Sequence, residues 1–125
     1  MDPENVFWKI ITSQSETAAG RVLLRFAYYP EARRHLDSSI EQQKILAAID
    51  STNPEPAHEL ARLYALVGDS YWEPKDAERD PLQANEAYNA SRDHWLAYQK
   101  IHSTLAPGDQ AIFDTVRGRL KSAKD

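Results

Sequence analysis

The chain contains no cysteine, and this absence removes several classes of function. Without a thiol it can form no disulfide, no thiolate metal site and no cysteine nucleophile. It also has no run of apolar residues long enough to cross a bilayer. Its acidic beginning, Met-Asp-Pro-Glu-Asn, lacks the positive region of a signal peptide. We therefore expect a cytoplasmic protein, or a cytoplasmic piece of a larger one.

Positive charge is scarce as well. The 15 lysines and arginines are outnumbered by 19 aspartates and glutamates, which gives a formal net charge of −4. Nucleic-acid binding normally requires a basic face, so the composition argues against nucleic acid as a partner, although a local basic patch is compatible with it. Only four glycines occur, and most of the seven prolines stand at apparent boundaries, as expected for helices joined by short turns.

Apolar residues recur at spacings of three and four along most of the chain, whereas sustained alternation with a period of two is absent. The pattern predicts an all-α domain of about 125 residues with about six helices. Ser13 and Glu16 form a capping-box pattern that places a helix boundary after Ser13. The predicted helices cover residues 3–12, 14–29, 31–50, about 55–72, 81–102 and 109–122.

A spacing of small and large residues occurs twice. A glycine on one helix is followed, on the next helix, by a small residue, a large residue four positions later and a second small residue after three more. The two sets are Gly20, Ala32, Leu36 and Ser39, then Gly68, Ala84, Tyr88 and Ser91. The glycines are 48 residues apart, and the second set has four more residues between its helices. Recurrence of this kind predicts stacked helical hairpins.

This pattern resembles the tetratricopeptide repeat (TPR), in which small residues let the two helices of a hairpin approach closely. The resemblance implies a short solenoid with a first unit at 13–50, a second unit with a longer loop at 55–103 and a capping helix at 109–122. Its packing residues would be the two sets above together with Tyr71.

The part of the chain from Ala61 onward is also similar, more loosely, to the C-terminal repeat regions of bacterial signalling proteins such as serine/threonine kinases. Leu66-Val67-Gly68-Asp69 matches the turn of those regions, and the helix with Ala84, Tyr88, Ser91 and Trp95 matches the one that follows. A glycine-rich phosphate loop and an Asp-Phe-Gly motif are both missing from the sequence, so kinase activity is not implied.

In the TPR family the first helices of successive units line a concave groove that binds a protein or peptide. Carried over by position, the resemblance implies partner-binding roles for Arg21, Leu24, Arg25, Arg62, Asp69, Trp72 and Arg117. Arginine pairs bidentately with carboxylates, so an acidic segment or chain terminus is a reasonable ligand. The alternative is that these arginines are simply solvated.

Residues with catalytic or metal-binding chemistry are present but poorly arranged. His94 and His102 are eight residues apart, about 12 Å along a helix, which is too far to share one metal ion. Ser91, Asp93 and His94 on a single helix cannot form a catalytic triad with an oxyanion hole. We therefore predict a non-catalytic chain with no cofactor and no metal.

Our leading hypothesis is a protein–protein interaction module that presents a concave helical groove. One alternative is a self-assembling or capping fragment of a larger repeat protein, because Val6, Phe7 and Ile10 are too apolar for the finished end of a solenoid. A less favoured alternative is a helical enzyme of unrecognised type, which would need an apolar pocket with converging polar groups.

Overall fold

A computed structural model of the chain describes residues 2–75 and 78–124, with side chains as far as Ser122. Within these residues the chain folds into five α-helices and forms no strand. The helices are α1 (Pro3–Arg25), α2 (Tyr29–Ile49), α3 (Glu55–Trp72), α4 (Pro81–Gln99) and α5 (Pro107–Lys124). The predicted all-α class is confirmed.

The described residues form five helices rather than six, because the first two predicted helices are one continuous helix, α1. Ser13 lies in its interior and is only 2% exposed. Its hydroxyl lies 2.7 Å from that of Ser39 on α2 and accepts a hydrogen bond from Gln43 Nε2 at 2.9 Å. The side chain therefore joins two helices instead of capping one, and the predicted boundary at Ser13 is wrong.

Two helices begin at an aspartate followed by proline. The Asp2 carboxylate accepts a hydrogen bond from the Glu4 N–H at 3.0 Å, and the Asp80 carboxylate accepts one from the Gln83 N–H at 3.1 Å. The following proline has no N–H, so it suits the first turn, where backbone donors lack helical partners.

The turn between α1 and α2 is tight. Ala27 has a φ of 63°, the left-handed conformation that glycine usually supplies at a helix end. The Tyr28 N–H donates to the Leu23 carbonyl at 2.9 Å, and the Ala27 N–H donates to the Leu24 carbonyl at 3.0 Å. These two bonds make a Schellman motif that stops α1 and turns the chain directly into α2.

Each helix packs against the next one in the chain, and α3 also contacts both α1 and α5. Helices α3 and α4 are antiparallel, because Tyr88 of α4 donates to Asp69 at 2.6 Å, while Ser91, further along α4, donates to the carbonyl of the earlier α3 residue Ala61 at 2.6 Å. By contrast, α3 and α5 run in the same direction, because His58 meets Asp109 and, further along both helices, Asp69 meets Arg119. This arrangement makes α3 the central helix.

Two glycines mark where the paired helices come closest. A Cβ atom on Gly20 would lie 2.7 Å from Leu36 Cδ2, and one on Gly68 would lie 2.3 Å from Tyr88 Cε1. Leu36 and Tyr88 are both fully buried. Any larger residue at either glycine would therefore collide with the side chain that fills the space between the two helices.

Candidate functional site

A groove lies between α1, the end of α2 and the start of α3. Its volume is about 880 Å³. We call it the α1–α3 groove. Its apolar lining comes from all three helices and consists of Val6, Ile10, Ala18, Val22, Leu46, Ile49 and Pro56. A groove of this size and lining has room for several side chains of a ligand.

A buried set of polar side chains also lines the groove, where α1 crosses α2. Thr17 Oγ1 donates to the Ser13 carbonyl at 2.8 Å and lies 2.7 Å from Ser39 Oγ, while Ser39 Oγ lies 3.0 Å from the same carbonyl. Gln43 completes the set through its bond to Ser13 Oγ. Since buried polar groups are expensive to leave unpaired, these bonds fix how α1 sits on α2 and so shape the groove.

The acidic and basic side chains that line the groove lie toward different ends of it. Asp50, Glu55 and Glu59 line it where α2 ends and α3 begins, whereas Arg21 of α1 and Arg62 of α3 come from later turns of their helices. Among the described residues Arg21 makes no ion pair, and the contact of Arg62 with Glu59 is 3.7 Å long. The Nε atom of Arg62 is buried without a hydrogen-bond partner. Arg21 is exposed and the Arg62 side chain is 30% exposed, so both guanidinium groups have other N–H donors to offer a ligand.

The predicted partner-binding residues are spread over several surfaces. Arg21 and Arg62 line the α1–α3 groove. Leu24 packs against the core that α2 and α3 share, and Arg25 is exposed on the last turn of α1 outside the groove lining. Arg117 is exposed on α5 and pairs with Asp114 at 2.5 Å. The structure does not bring these five residues together.

Asp69 belongs to a second and smaller groove, of about 220 Å³, between α3 and α5. The Tyr88 hydroxyl donates to the Asp69 carboxylate at 2.6 Å, and Arg119 donates to both. Burial raises the pKa of the Asp69 carboxyl despite these bonds, and burial together with the Asp69 charge raises the pKa of Tyr88. The remaining predicted partner-binding residue, Trp72, is half-buried with its ring edge-on to that of Tyr88. This cluster links three helices.

The sequence reasoning named Arg117 on α5 and missed Arg119. The buried side of α5 is formed by Phe113, Val116 and Leu120. Arg119, which precedes Leu120, reaches α3 and α4, whereas Arg117 follows Val116 and faces solvent. Both arginines flank the apolar stripe in the sequence, so only the packing of α5 on α3 distinguishes them.

The residues predicted from the repeat pattern lie between paired helices. Ala32, Leu36, Ser39, Ala84, Tyr88 and Ser91 are all fully buried. Tyr71 differs, because its half-buried ring lies beneath the guanidinium of Arg33, 3.9 Å from the ring centroid. Arg33 also donates to the Ser70 hydroxyl at 2.9 Å and carbonyl at 2.8 Å, and so ties α2 to α3.

Each of three histidines stacks on a tyrosine, and two of them share Tyr98. His58, which the sequence reasoning did not single out, shares a 2.8 Å hydrogen bond with Asp109 and stacks on Tyr98. His94 stacks on Tyr64, and His102 stacks on Tyr98. No group of three or more His, Asp or Glu side chains in residues 2–75 and 78–122 is arranged to hold a metal ion.

None of the five helices described combines the length and the apolar character needed to cross a membrane. Comparison of the chain with protein-family models, with curated proteins and with solved structures finds no match.

Proposed function

We propose that this chain is a non-catalytic interaction module that binds a peptide or protein segment in the α1–α3 groove. The observation that carries the proposal is the groove itself, about 880 Å³ with apolar walls and two arginines that are partly or fully exposed. A ligand held there would contact α1, α2 and α3 at once, and its apolar side chains would cover Ile10, Leu46 and Ile49.

We propose further that the five helices form a short TPR-like solenoid. The contacts of α3 with both α1 and α5, in addition to those between consecutive helices, support this arrangement. In such a stack the first helix of each hairpin faces the same side, so α1, α3 and α5 would form the concave surface. The groove would then be the part of that surface between the first two hairpins.

The charges indicate what kind of segment the groove accepts. Arg21 and Arg62 favour a ligand carboxylate, from an acidic side chain or a chain terminus, because guanidinium and carboxylate groups pair in a bidentate geometry. Asp50 and Glu55 at the other end favour a basic residue. The best ligand is therefore an apolar segment with an acidic group at one end and a basic group at the other.

The test is selection of peptides from a random displayed library on the immobilised wild-type chain, followed by affinity measurement by fluorescence anisotropy. We expect selected peptides to carry a carboxylate and to bind the Arg21→Glu/Arg62→Glu variant at least about tenfold more weakly. The matched control is Arg34→Glu/Lys121→Glu, which makes the same change in net charge at two exposed positions outside the groove.

Equal binding of the selected peptides to the wild type and to the groove variant would refute the proposal. So would an equal loss of affinity in both charge-reversed variants, because the effect would then come from net charge rather than from the groove. Circular dichroism of each variant establishes that its helices are retained.

A further inference from the structure

The outer side of α1 is apolar and uncovered. This helix buries only two of its 23 residues, Ser13 and Gly20, both on the side that meets α2. On the opposite side Trp8 is 57% exposed, Val22 56% and Phe26 66%. We call the surface formed by Phe7, Trp8, Ile11, Ser15, Ala18, Val22 and Phe26 the outer face of α1.

The spacing of this face is that of a helix–helix seam. Trp8, Ile11, Ser15, Ala18 and Val22 follow one another at alternating intervals of three and four, the pattern that keeps side chains toward a single neighbouring helix. Two charged side chains in the middle of α1 point away from this face toward α2. Lys9 donates to Gln42 at 3.4 Å, and Glu16 pairs with His35 at 2.7 Å.

The other exposed helix faces are different. The outward side of α5 carries Asp114, Arg117 and Lys121, and that of α2 carries Arg34, Asp37, Glu41 and Lys44. Polar surfaces of this kind are expected on the solvent-facing sides of the outer helices in a helical stack. The outer face of α1 is therefore the large apolar helix surface that the described fold leaves without a neighbour.

We propose that the outer face of α1 binds the same face of a second copy of this chain, in antiparallel orientation about a twofold axis at Ser15. The face is self-complementary about that residue. Trp8 would meet the smaller Val22 of the second copy, and Ile11 would lie beside its Ala18. Ser15 would face itself, where a small side chain permits close approach.

Charge complementarity supports the same pairing. Glu4 and Arg25 lie at opposite ends of α1, so the antiparallel arrangement brings the carboxylate of each copy toward the guanidinium of the other. A parallel arrangement would instead place like charges together. The charges at the ends of the face therefore favour the antiparallel dimer.

The area is sufficient for a small interface. From their exposed fractions, the large side chains of the face offer roughly 500 Å² per copy, so a dimer would bury about 1,000 Å², the lower limit for a specific contact. Because the face pairs with itself and the far end of the chain is polar, the assembly closes as a dimer rather than growing into a fibre.

The test is sedimentation equilibrium of the whole chain across a concentration series from about 1 to about 500 μM. We expect the mass to rise from 14.2 kDa toward twice that value. Trp8→Glu/Phe26→Glu should remain monomeric at every concentration, while Leu82→Glu, at an exposed apolar residue on α4, should dimerise like the wild type. Ala18 and Val22 line both the α1–α3 groove and the outer face, so the test variant is placed at Trp8 and Phe26, which do not line the groove. The dimer can then fail while peptide binding survives, and the reverse.

The relative orientation of the two copies is tested by disulfide cross-linking. The chain has no cysteine of its own, so an introduced cysteine is its only thiol. Under mild oxidation an equal mixture of Glu4→Cys and Arg25→Cys chains should form the mixed disulfide, because the antiparallel dimer brings these two positions together. A parallel dimer would instead link each of these variants to itself, and Leu82→Cys should not cross-link. A monomer at the highest concentration would overturn the proposal. A dimer that survives Trp8→Glu/Phe26→Glu, or that links Glu4→Cys and Arg25→Cys each to itself rather than to one another, would overturn it equally.

Discussion

Replacing Gly68 by alanine is the most direct perturbation of the packing between α3 and α4. The added Cβ would lie 2.3 Å from Tyr88 Cε1, 2.5 Å from Cδ1 and 2.8 Å from Cζ, which are all atoms of one rigid ring. The ring cannot swing aside easily, because Tyr88 is fully buried and its hydroxyl is bonded to Asp69 and Arg119. The two helices must therefore separate.

The magnitude follows from two opposing effects. Alanine is a better helix former than glycine by about 1 kcal/mol. Overpacking a filled core costs about 1–3 kcal/mol, and disturbing the buried hydrogen bonds of Tyr88 costs about 1–3 kcal/mol more. We expect Gly68→Ala to lower the free energy of unfolding by about 2 kcal/mol, and the melting temperature by about 5–10 °C for a chain of this size.

Urea and thermal unfolding followed by circular dichroism measure this change. Gly118→Ala is the matched control, since it lies within α5 and a Cβ there would meet nothing within 4 Å. It should stabilise the chain by up to about 1 kcal/mol. Gly20→Ala should fall between the two, because its Cβ meets Leu36 Cδ2 at 2.7 Å and Cγ at 2.8 Å, and the closer of these contacts is longer than the closest one with the rigid Tyr88 ring. A Gly68→Ala variant as stable as the wild type would refute the packing argument.

Three further changes test other contacts. Ala27→Gly should raise the free energy of unfolding by about 1 kcal/mol in urea titrations, since it relieves the left-handed backbone at φ 63°; a loss of stability would contradict this. Arg33→Met should lower it by about 1–2 kcal/mol through lost bonds to Ser70, whereas Arg34→Met at the exposed neighbouring position should change it little. Burial raises the pKa of the Asp69 carboxyl, so the folded chain binds that proton more tightly than the unfolded chain does. The stability of the wild type relative to Asp69→Asn should therefore increase as the pH falls from about 7 to about 4. A decrease over that range would show that the pair with Arg119 outweighs burial.

Much of the fold was accessible from the sequence because it is encoded locally. The recurrence of apolar residues every three or four positions predicted the helices. The two Asp-Pro pairs lie at the starts of α1 and α4 in the structure, as expected. The error at Ser13 has a physical cause: the hydroxyl that could cap a helix is bonded across to Ser39 instead. Such a partner is 26 residues away and cannot be read from a local pattern.

The candidate site was less accessible, because it depends on how the helices are rotated against one another. Arg21 and Arg62 line the α1–α3 groove, but they were named together with Leu24, which packs against the core. Arg119 was missed because its role is set by the register of α5 on α3. Periodicity identifies which residues are buried as a set, but not which flanking residue turns toward a neighbouring helix.

The measurement that tests the central claim most directly is a titration of the isotopically labelled chain with a selected peptide, followed by amide chemical shifts in two-dimensional NMR. If the chain binds its partner in the α1–α3 groove, the largest shift changes should occur on the groove sides of α1 and α3, at Ser13–Val22 and at Glu55–Arg62. They should be absent from the outward side of α5. Changes centred on α5, or spread evenly over all five helices, would contradict the account.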